Sequence, residues 1–197
     1  MTARDEILAA IRRNRPAAVA ELPDSPVFTD GPGLDLVARF TQSLLQMGGK
    51  LIVPGPAHDP WQPARDMIAQ ANVVCSMVPE LHGNRPVAGA DPASLHDVDL
   101  AVLRARFGIA ETGSVALLAD DLGINAIGYL AQRLLILLDP ACIVENLHRA
   151  YERPEFEQGH YLVLQTGPSA TADIEGVLIH GAQGVRALTV LLMPSPP

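Results

Sequence analysis

The sequence predicts an α/β protein with a mostly parallel sheet flanked by helices, preceded by an N-terminal helix and arm. Two observations support this class. Apolar runs that suit strands alternate along the chain with amphipathic stretches that suit helices, and no internal repeat is present. The strand predicted at Arg133–Leu138 is apolar from Leu134 onward, as expected of a parallel strand that is buried on both faces.

The first 33 residues form a region distinct from the rest. Ile7, Leu8 and Ile11 lie on one stripe of a short predicted helix over residues 4–14, which Pro16 ends. The following residues, to Gly33, are rich in proline and show little periodicity. We therefore expect residues 1–32 to form a helix and a Pro-rich arm that packs on the domain or on a partner, and residues 33–197 to form a single α/β domain.

The remaining elements follow in order from periodicity and from glycine and proline positions. Helices are predicted over 34–47, 63–71 and 139–151, and a further helix is predicted to open at Gly167. Strands are predicted over 50–54, 72–76, 107–110, 115–118, 133–138, 161–164 and 188–193, with a loop over 79–99.

Composition excludes several classes of function. The 197 residues are 48% hydrophobic and 18% charged, which excludes wholesale disorder. The net charge of −8 argues against broad contact with a nucleic-acid backbone, because such contact requires clustered cations. No apolar run approaches the roughly 20 residues of a membrane span, and the acids near the N-terminus do not suit an export signal. A cytoplasmic protein is predicted.

Metal and cofactor motifs are also missing from the sequence. Cys75 and Cys142 form no C-x-x-C pattern, and the six histidines have no metal-ligand spacing, so we expect no metal site and no iron–sulfur cluster in this chain. The glycine motifs of dinucleotide-binding folds and P-loops do not occur, nor does the serine motif of α/β-hydrolases. The sequence does not identify any cofactor.

The turn between the two predicted strands at 107–118 is the first candidate site. Gly113 allows a sharp turn, and the hydroxyls of Thr112 and Ser114 can contact an anion or a polar substrate. Glu111 has the chemistry of a general base, a nucleophile or a hydrogen-bond acceptor, so we consider it a candidate catalytic residue. A hairpin turn with an exposed acid explains the same residues.

The second candidate site follows the strand at 161–164. Its predicted ligand-binding residues are Gly167, Pro168, Ser169, Thr171, Asp173 and Glu175. Hydroxyls can cap the predicted helix and acids suit its first turn, while free amide groups at a strand-to-helix turn favour anions. Capping alone explains the hydroxyls and acids, but it explains Gly167-Pro168 less readily. We expect this turn and the Glu111 turn to meet over the carboxyl edge of one sheet in a single polar hollow.

A pair of glycines lies between this turn and the last predicted strand. Gly181 and Gly184 flank Gln183 and could wrap a ligand, so Gly184 joins the predicted ligand-binding residues. A helix C-terminal turn is the commoner use of such glycines.

Both candidate turns carry a family resemblance. Ile109–Val115, and above all G-P-S-A-T-A-D-I-E at 167–175 with Gly181 and Gly184 after it, resemble the lactate utilization protein C family of the LUD-domain group. Residues 4–12 and 134–151 are similar as well, so the resemblance covers nearly the whole chain. It implies a Rossmann-like α/β sheet and a fold like that of the NagB/RpiA/CoA-transferase group. It also implies a role in oxidising L-lactate to pyruvate with two iron–sulfur partner proteins, which would hold the clusters.

The chain departs from the family pattern at three positions. Ala170 stands where the family usually has Arg, and Gln183 and Val185 stand where it usually has His and Pro. Loss of the arginine removes a bidentate clamp for a carboxylate or a phosphate. Either the ligand differs, or the positive charge comes from Arg104, Arg106 or Arg186.

Three hypotheses for function follow. The first is a component of an L-lactate-oxidising complex that binds a small anionic ligand between the two turns. The second is a non-catalytic assembly subunit whose N-terminal helix and arm hold the iron–sulfur partners. The third, by analogy with the fold's coenzyme A transferases, is an enzyme that forms a covalent adduct on Glu111.

Overall fold

The computed structural model describes residues 2–16, 21, 23, 26–29, 31, 33–55, 59–158, 161–173 and 175–194. His58, His160, Ile174 and parts of the predicted arm lie outside these ranges. The described helices are α1 Ala3–Asn14, α2 Leu36–Gln46, α3 Gln62–Ala69, α4 Ala119–Leu122, α5 Ile127–Leu130, α6 Leu147–Tyr151 and α7 Glu155–Gln158. Short 3₁₀ turns cover Pro92–Leu95 and Pro140–Cys142.

The strands are β1 Lys50–Ile52, β2 Val74–Ser76, β3 Leu100–Arg104, β4 Phe107–Ile109, β5 Ser114–Leu118, β6 Arg133–Leu138, β7 Ile143–Val144, β8 Leu162–Gln165, β9 Ala170–Thr171, β10 Ile179–His180 and β11 Ala187–Leu192. They form three sheets. A five-stranded sheet has the order β1-β11-β6-β3-β2, a four-stranded sheet has the order β7-β4-β5-β8, and β9 pairs with β10 alone.

Every pairing in the five-stranded sheet is parallel. Its central strand, β6, is buried from Leu134 to Leu138, which agrees with the apolar run in the sequence. Successive side chains of a strand point to opposite faces, so Leu135 and Leu137 pack towards α3 while Leu134 and Ile136 pack towards α2 and the second sheet. The predicted mixed α/β architecture with a mostly parallel central sheet is confirmed.

The four-stranded sheet is mostly antiparallel and forms a second layer. β5 runs antiparallel to β4 and β8, and only β7 pairs in parallel. One face packs on the parallel sheet through Val115 and Leu117, and the opposite face packs through Phe107 and Ala116 against the region of α6 and α7. The chain therefore places a hairpin sheet between the parallel sheet and a pair of short helices.

Four sequence predictions about elements are wrong. The helix predicted over 139–151 is divided into a 3₁₀ turn, β7 and α6, because β-branched Ile143 and Val144 pair with β4 instead of continuing a helix. No helix opens at Gly167, since the chain forms β9 and returns as β10. No helix ends at Gly181, which follows β10 directly. Strand β3 was not predicted at all, although its first four residues are completely buried.

The N-terminal helix is built as expected but buries nothing. Thr2 and Asp5 form a capping box that starts α1, and the hydrogen bonds from Thr2 lower the pKa of Asp5. Ile7 and Ile11 remain 61% and 60% exposed. Of the described arm residues, Phe28 contacts the His148 ring at 5.0 Å, and its carbonyl accepts a hydrogen bond from Asn146 Nδ2 at 2.8 Å.

Candidate functional site

The Glu111 turn connects β4 to β5, as the sequence predicts. Gly113 N donates to the Ile109 carbonyl at 2.9 Å, which closes the turn, and Gly113 has a φ of +68°. Ser114, the first residue of β5, is only 3% exposed, whereas Glu111 is exposed. The turn thus presents one exposed acid beside one buried hydroxyl.

A chain of three hydroxyls joins the two candidate turns. Thr112 Oγ1 is hydrogen-bonded to Ser114 Oγ at 2.6 Å, and Ser114 Oγ to Thr166 Oγ1 at 2.6 Å. Thr166 directly precedes Gly167, so the chain of hydroxyls crosses from the Glu111 turn to the Gly167 turn. The meeting of the two turns is confirmed, and the residue that makes it, Thr166, was missed.

The location predicted for this meeting is wrong. Both turns belong to the four-stranded sheet, not to the carboxyl edge of the parallel sheet. Ser169 N donates to the Val185 carbonyl at 2.8 Å, and Val185 lies just before β11. Pro168 lies near Gly48, which precedes β1. The Gly167 turn is therefore at the amino edge of the parallel strands.

The C-terminal turn of α2 lies against both candidate turns. A Cβ on Gly113 would come within 2.3 Å of Leu44 N, and a Cβ on Gly167 within 2.3 Å of the Met47 carbonyl oxygen. Gly167 also has a positive φ, +65°. Both glycines are therefore required by backbone packing, whatever ligand the turns hold. In addition, Ser43 Oγ donates to the Ala110 carbonyl at 2.9 Å.

Two cavities meet at Thr166. One, of about 540 Å³, is lined by Ser43, Gln46, Met47, Glu111, Thr112, Ser114, Leu147, Leu164 and Thr166. The other, of about 380 Å³, is lined by Gly128, Tyr129, Leu164, Gln165, Thr166, Gly167, Pro168, Ser169, Ala170, Gly184 and Val185. Leu164 and Thr166 border both, so we call the pair the Thr166 cavities.

Several predicted ligand-binding residues do not reach these cavities. Thr171 belongs to β9, and Asp173 and Glu175 lie in the exposed β9–β10 connection. Thr171 Oγ1 donates to Asp173 Oδ2 at 3.0 Å, a local turn contact. None of the three lines either cavity among the described residues. The sequence predicts a helix start here, with free amide groups that would bind an anion. The chain instead forms the two short strands β9 and β10.

The Glu111 carboxylate has a structural contact. Glu111 Oε2 accepts a hydrogen bond from Leu147 N at 3.0 Å, at the first residue of α6. The backbone N–H of Glu111 also donates to the Glu145 carbonyl at 3.0 Å. Glu111 thus helps to fix the start of α6 while it lines one of the Thr166 cavities, and its catalytic role stays a hypothesis.

Positive charge is missing from the described lining of the Thr166 cavities, which contains no Lys, Arg or His. Arg104 and Arg106 were proposed to replace the missing arginine at Ala170, and that proposal is wrong. Arg104 pairs with Glu80 at 3.0 Å and Arg106 with Asp121 at 2.8 Å, both at the carboxyl end of β3. Arg186 is exposed and is not among the described lining residues.

One tyrosine at the second cavity was also missed. The Tyr129 hydroxyl is hydrogen-bonded to the Tyr161 hydroxyl. Burial, reinforced by this contact, raises the pKa of Tyr129 to about 12, so the hydroxyl keeps its proton at neutral pH. No sequence signal marks Tyr129, whereas Thr166 could have been found from its position next to Gly167.

Two searches of the described residues gave no candidates. No group of three His, Cys, Asp or Glu side chains in the described ranges is placed to hold a metal ion. Within the same ranges, no helix has the length and apolar character needed to cross a membrane.

Comparisons with known proteins agree with this architecture. The family model of the LUD domain matches residues 93–193, just over half of the chain. A crystal structure of a DUF162 family protein from Deinococcus radiodurans superposes with a TM-score of 0.61 at 18% identity, covering 80% of this chain and 95% of that one. No curated protein matches this chain. Since the matched residues include both candidate turns and the strands that carry them, the chain belongs to the LUD domain family.

Proposed function

We propose that this protein is a component of an L-lactate utilization system and holds a small hydroxy or keto acid in the Thr166 cavities. Membership of the LUD domain family supports the system. The observation that carries the site is the hydroxyl chain from Thr112 through Ser114 to Thr166, which lines the first cavity and reaches the second at Thr166.

The chemistry of the lining suits a small polar acid. Hydroxyls donate and accept, so they can bond the hydroxyl of lactate or the carbonyl of pyruvate. The Gln46 side chain, which lines the first cavity, adds amide donors for a carboxylate. Because no cation lines the described cavity walls, recognition depends on hydrogen bonds, and we expect affinity in the millimolar rather than the nanomolar range.

In this proposal, Glu111 takes the proton of the lactate hydroxyl. Oxidation of lactate to pyruvate releases two electrons and two protons, so an electron acceptor is required. Iron–sulfur partner proteins would take the electrons. Glu111 can keep Oε2 on Leu147 N and use its other oxygen for the proton.

Titration calorimetry with L-lactate and pyruvate tests the binding site. Thr166→Val removes the shared hydroxyl at constant shape and is expected to weaken binding about tenfold. Thr171→Val, an equivalent change outside the cavities, is the matched control and should leave binding unchanged. Equal binding by the two variants, or no binding by the wild-type protein alone or with its partners, would contradict the proposed site.

Lactate-dependent dye reduction by the co-purified complex tests the role of Glu111. Glu111→Gln retains an oxygen that can accept from Leu147 N but cannot act as a base. We expect this variant to bind L-lactate and to assemble normally, with dye reduction lowered about a hundredfold. Undiminished reduction would remove Glu111 from the chemistry.

A second candidate, the assembly subunit, is favoured by α1. Its apolar side chains Ile7 and Ile11 are exposed, and α1 has no buried residue in the described structure. Deletion of residues 1–32 separates the two proposals. The assembly role predicts loss of association with iron–sulfur partners while L-lactate binding at the Thr166 cavities is retained.

A further inference from the structure

A cavity of about 360 Å³ lies at the opposite edge of the parallel sheet. It is lined by Met77, Pro79, Arg104, Ala105, Arg106 and Asp121. Arg104 ends β3 and Arg106 follows two residues later, so both arginines come from one short segment. That segment is fixed at two points, because Ala105 N donates to the Leu137 carbonyl at 2.8 Å and Arg106 N to the Ala116 carbonyl at 2.9 Å.

The two guanidinium groups have donors beyond those used in their ion pairs. Arg104 bonds Glu80 through one terminal nitrogen, and its side chain is only 24% exposed. Arg106 bonds Asp121 through Nε and a terminal nitrogen at 2.9 and 2.8 Å. A guanidinium group carries five N–H donors, so the contacts described for these residues leave donors on both arginines for a ligand in the cavity.

A larger cavity adjoins this one. Met77 and Pro79 also line a cavity of about 680 Å³ at the carboxyl end of β2. Its wall includes apolar side chains, Val78 and Leu81 among them, next to the polar side chains of Asn84 and Arg85. The cavity at Arg104 therefore offers guanidinium donors next to carboxylates, and the neighbouring cavity is mixed in character.

We propose that this carboxyl edge binds a small molecule that carries a phosphate group, with the phosphate on Arg104 and Arg106 and the organic part along Met77 and Pro79. Guanidinium groups match the geometry of phosphate oxygens. Each arginine already faces one carboxylate, so a ligand with more charge and more oxygens than a carboxylate competes best for the remaining donors. The carboxyl ends of parallel strands are also where open α/β sheets bind ligands.

This site is separate from the Thr166 cavities. Those lie beside residues that enter β1 and β11, whereas Arg104 lies where β3 ends. A parallel strand of five residues spans about 17 Å, so the two sites are on different edges of one sheet. The phosphate site therefore does not depend on the proposed binding of lactate.

Calorimetry in a phosphate-free buffer of constant ionic strength tests the proposal, with inorganic phosphate, adenosine 5′-monophosphate and adenosine as probes. We expect the wild-type protein to bind phosphate and to bind the monophosphate more tightly. Arg104→Gln and Arg106→Gln should each weaken both about tenfold or more. The matched control is Arg149→Gln, which removes the same charge from an exposed pair with Glu152 and should bind as the wild type does.

A further variant guards against loss of folding in the arginine variants. Pro79→Glu adds a carboxylate at an exposed residue that lines both cavities and should also weaken phosphate binding. Phosphate binding that is unchanged in Arg104→Gln, Arg106→Gln and Pro79→Glu, or undetectable in the wild type at about 10 mM, would overturn the proposal. Equal affinity for phosphate and the monophosphate would overturn the placement of the organic part. L-lactate binding should be unaffected by all three variants, which distinguishes this site from the Thr166 cavities.

Discussion

The amino and carboxyl edges of the parallel sheet carry different chemistry. At the amino edge, the Thr166 cavities are bordered by hydroxyls and by backbone held close to α2. At the carboxyl edge, Arg104 and Arg106 border a cavity at the end of a buried strand. The strand interiors are apolar, so the residues at the strand ends, such as Arg104, and those in the connections decide what each edge can recognise.

The substitution with the largest expected effect disrupts the packing of the Glu111 turn against α2, at the amino edge of the sheet. Gly113→Ala places a Cβ within 2.3 Å of Leu44 N at a φ of +68°, so the clash and the strained backbone act together. We expect a loss of about 3 kcal/mol or more in the free energy of unfolding, measured by urea titration.

Alanine substitution at a second glycine distinguishes the effect of the clash from the effect of backbone strain. Gly89 has a φ of +73°, and a Cβ there would meet no atom within 4 Å. Gly89→Ala should therefore cost only the backbone strain, about 1 kcal/mol. Equal losses in the Gly89 and Gly113 variants would show that close approach to α2 contributes nothing.

A smaller effect concerns the hydroxyl chain. Ser114→Ala removes the middle member, so the hydroxyls of Thr112 and Thr166 each lose a partner. We expect a loss of about 1–2 kcal/mol in the free energy of unfolding. Ser94→Ala removes an exposed hydroxyl bonded to the Asp91 carbonyl, and should cost less than about 0.5 kcal/mol.

The next prediction concerns the acid sensitivity of the hydrogen bonds at the amino ends of β2 and β3. Asp99 accepts hydrogen bonds from Asn72 N and Val73 N at 2.8 and 3.2 Å, and these bonds lower its pKa. A lowered pKa stabilises the fold above the ordinary aspartate value of about 3.9, and this stabilisation is lost as the pH falls through the lower, folded-state pKa.

We therefore expect the Tm to fall as the pH is lowered below about 4, and to fall less steeply in Asp99→Asn. Scanning calorimetry between neutral and acidic pH measures both slopes. Asp173→Asn, in the exposed β9–β10 connection, is the control and should retain the wild-type slope. An unchanged slope in Asp99→Asn would mean that this carboxylate does not contribute.

The smallest expected effect is a difference in reactivity between the two cysteine thiols, which involves no change in stability. Burial raises the pKa of Cys75 in β2, which is 1% exposed, whereas Cys142 is half-buried. Iodoacetamide should alkylate Cys142 in the native protein and both cysteines in urea, as mass spectrometry of the peptides can establish. Alkylation of Cys75 first would show that β2 opens readily.

The fold class, the family and one of the two turns could be predicted from the sequence. Strand β6 and the β4–β5 turn were predictable because their signals are local: a continuous apolar run, and a Gly-containing turn between two short apolar runs. The Gly167 region was not, since hydroxyls and acids after a glycine suit a helix start and a β-turn equally well.

The position of the site could not be predicted for a different reason. Nothing in the local sequence shows that β8 leaves the parallel sheet and pairs with β5, so the edge at which Gly167 lies follows only from tertiary pairing. The same applies to the two glycines beside α2. Their backbone contacts join segments separated by more than sixty residues, whereas the sequence suggested only a tight turn or a ligand as the reason for glycine.

The pairing of β1 has a consequence for how the chain matures. Leu51 lies opposite Val190, and β1 has no other neighbour in its sheet. During synthesis, the edge strand must wait until residues 187–192 emerge from the ribosome before its backbone amides are satisfied. Until then, β1 lacks its hydrogen-bonding partner in the sheet, so this pairing of distant segments can form only after residue 192 has been synthesised.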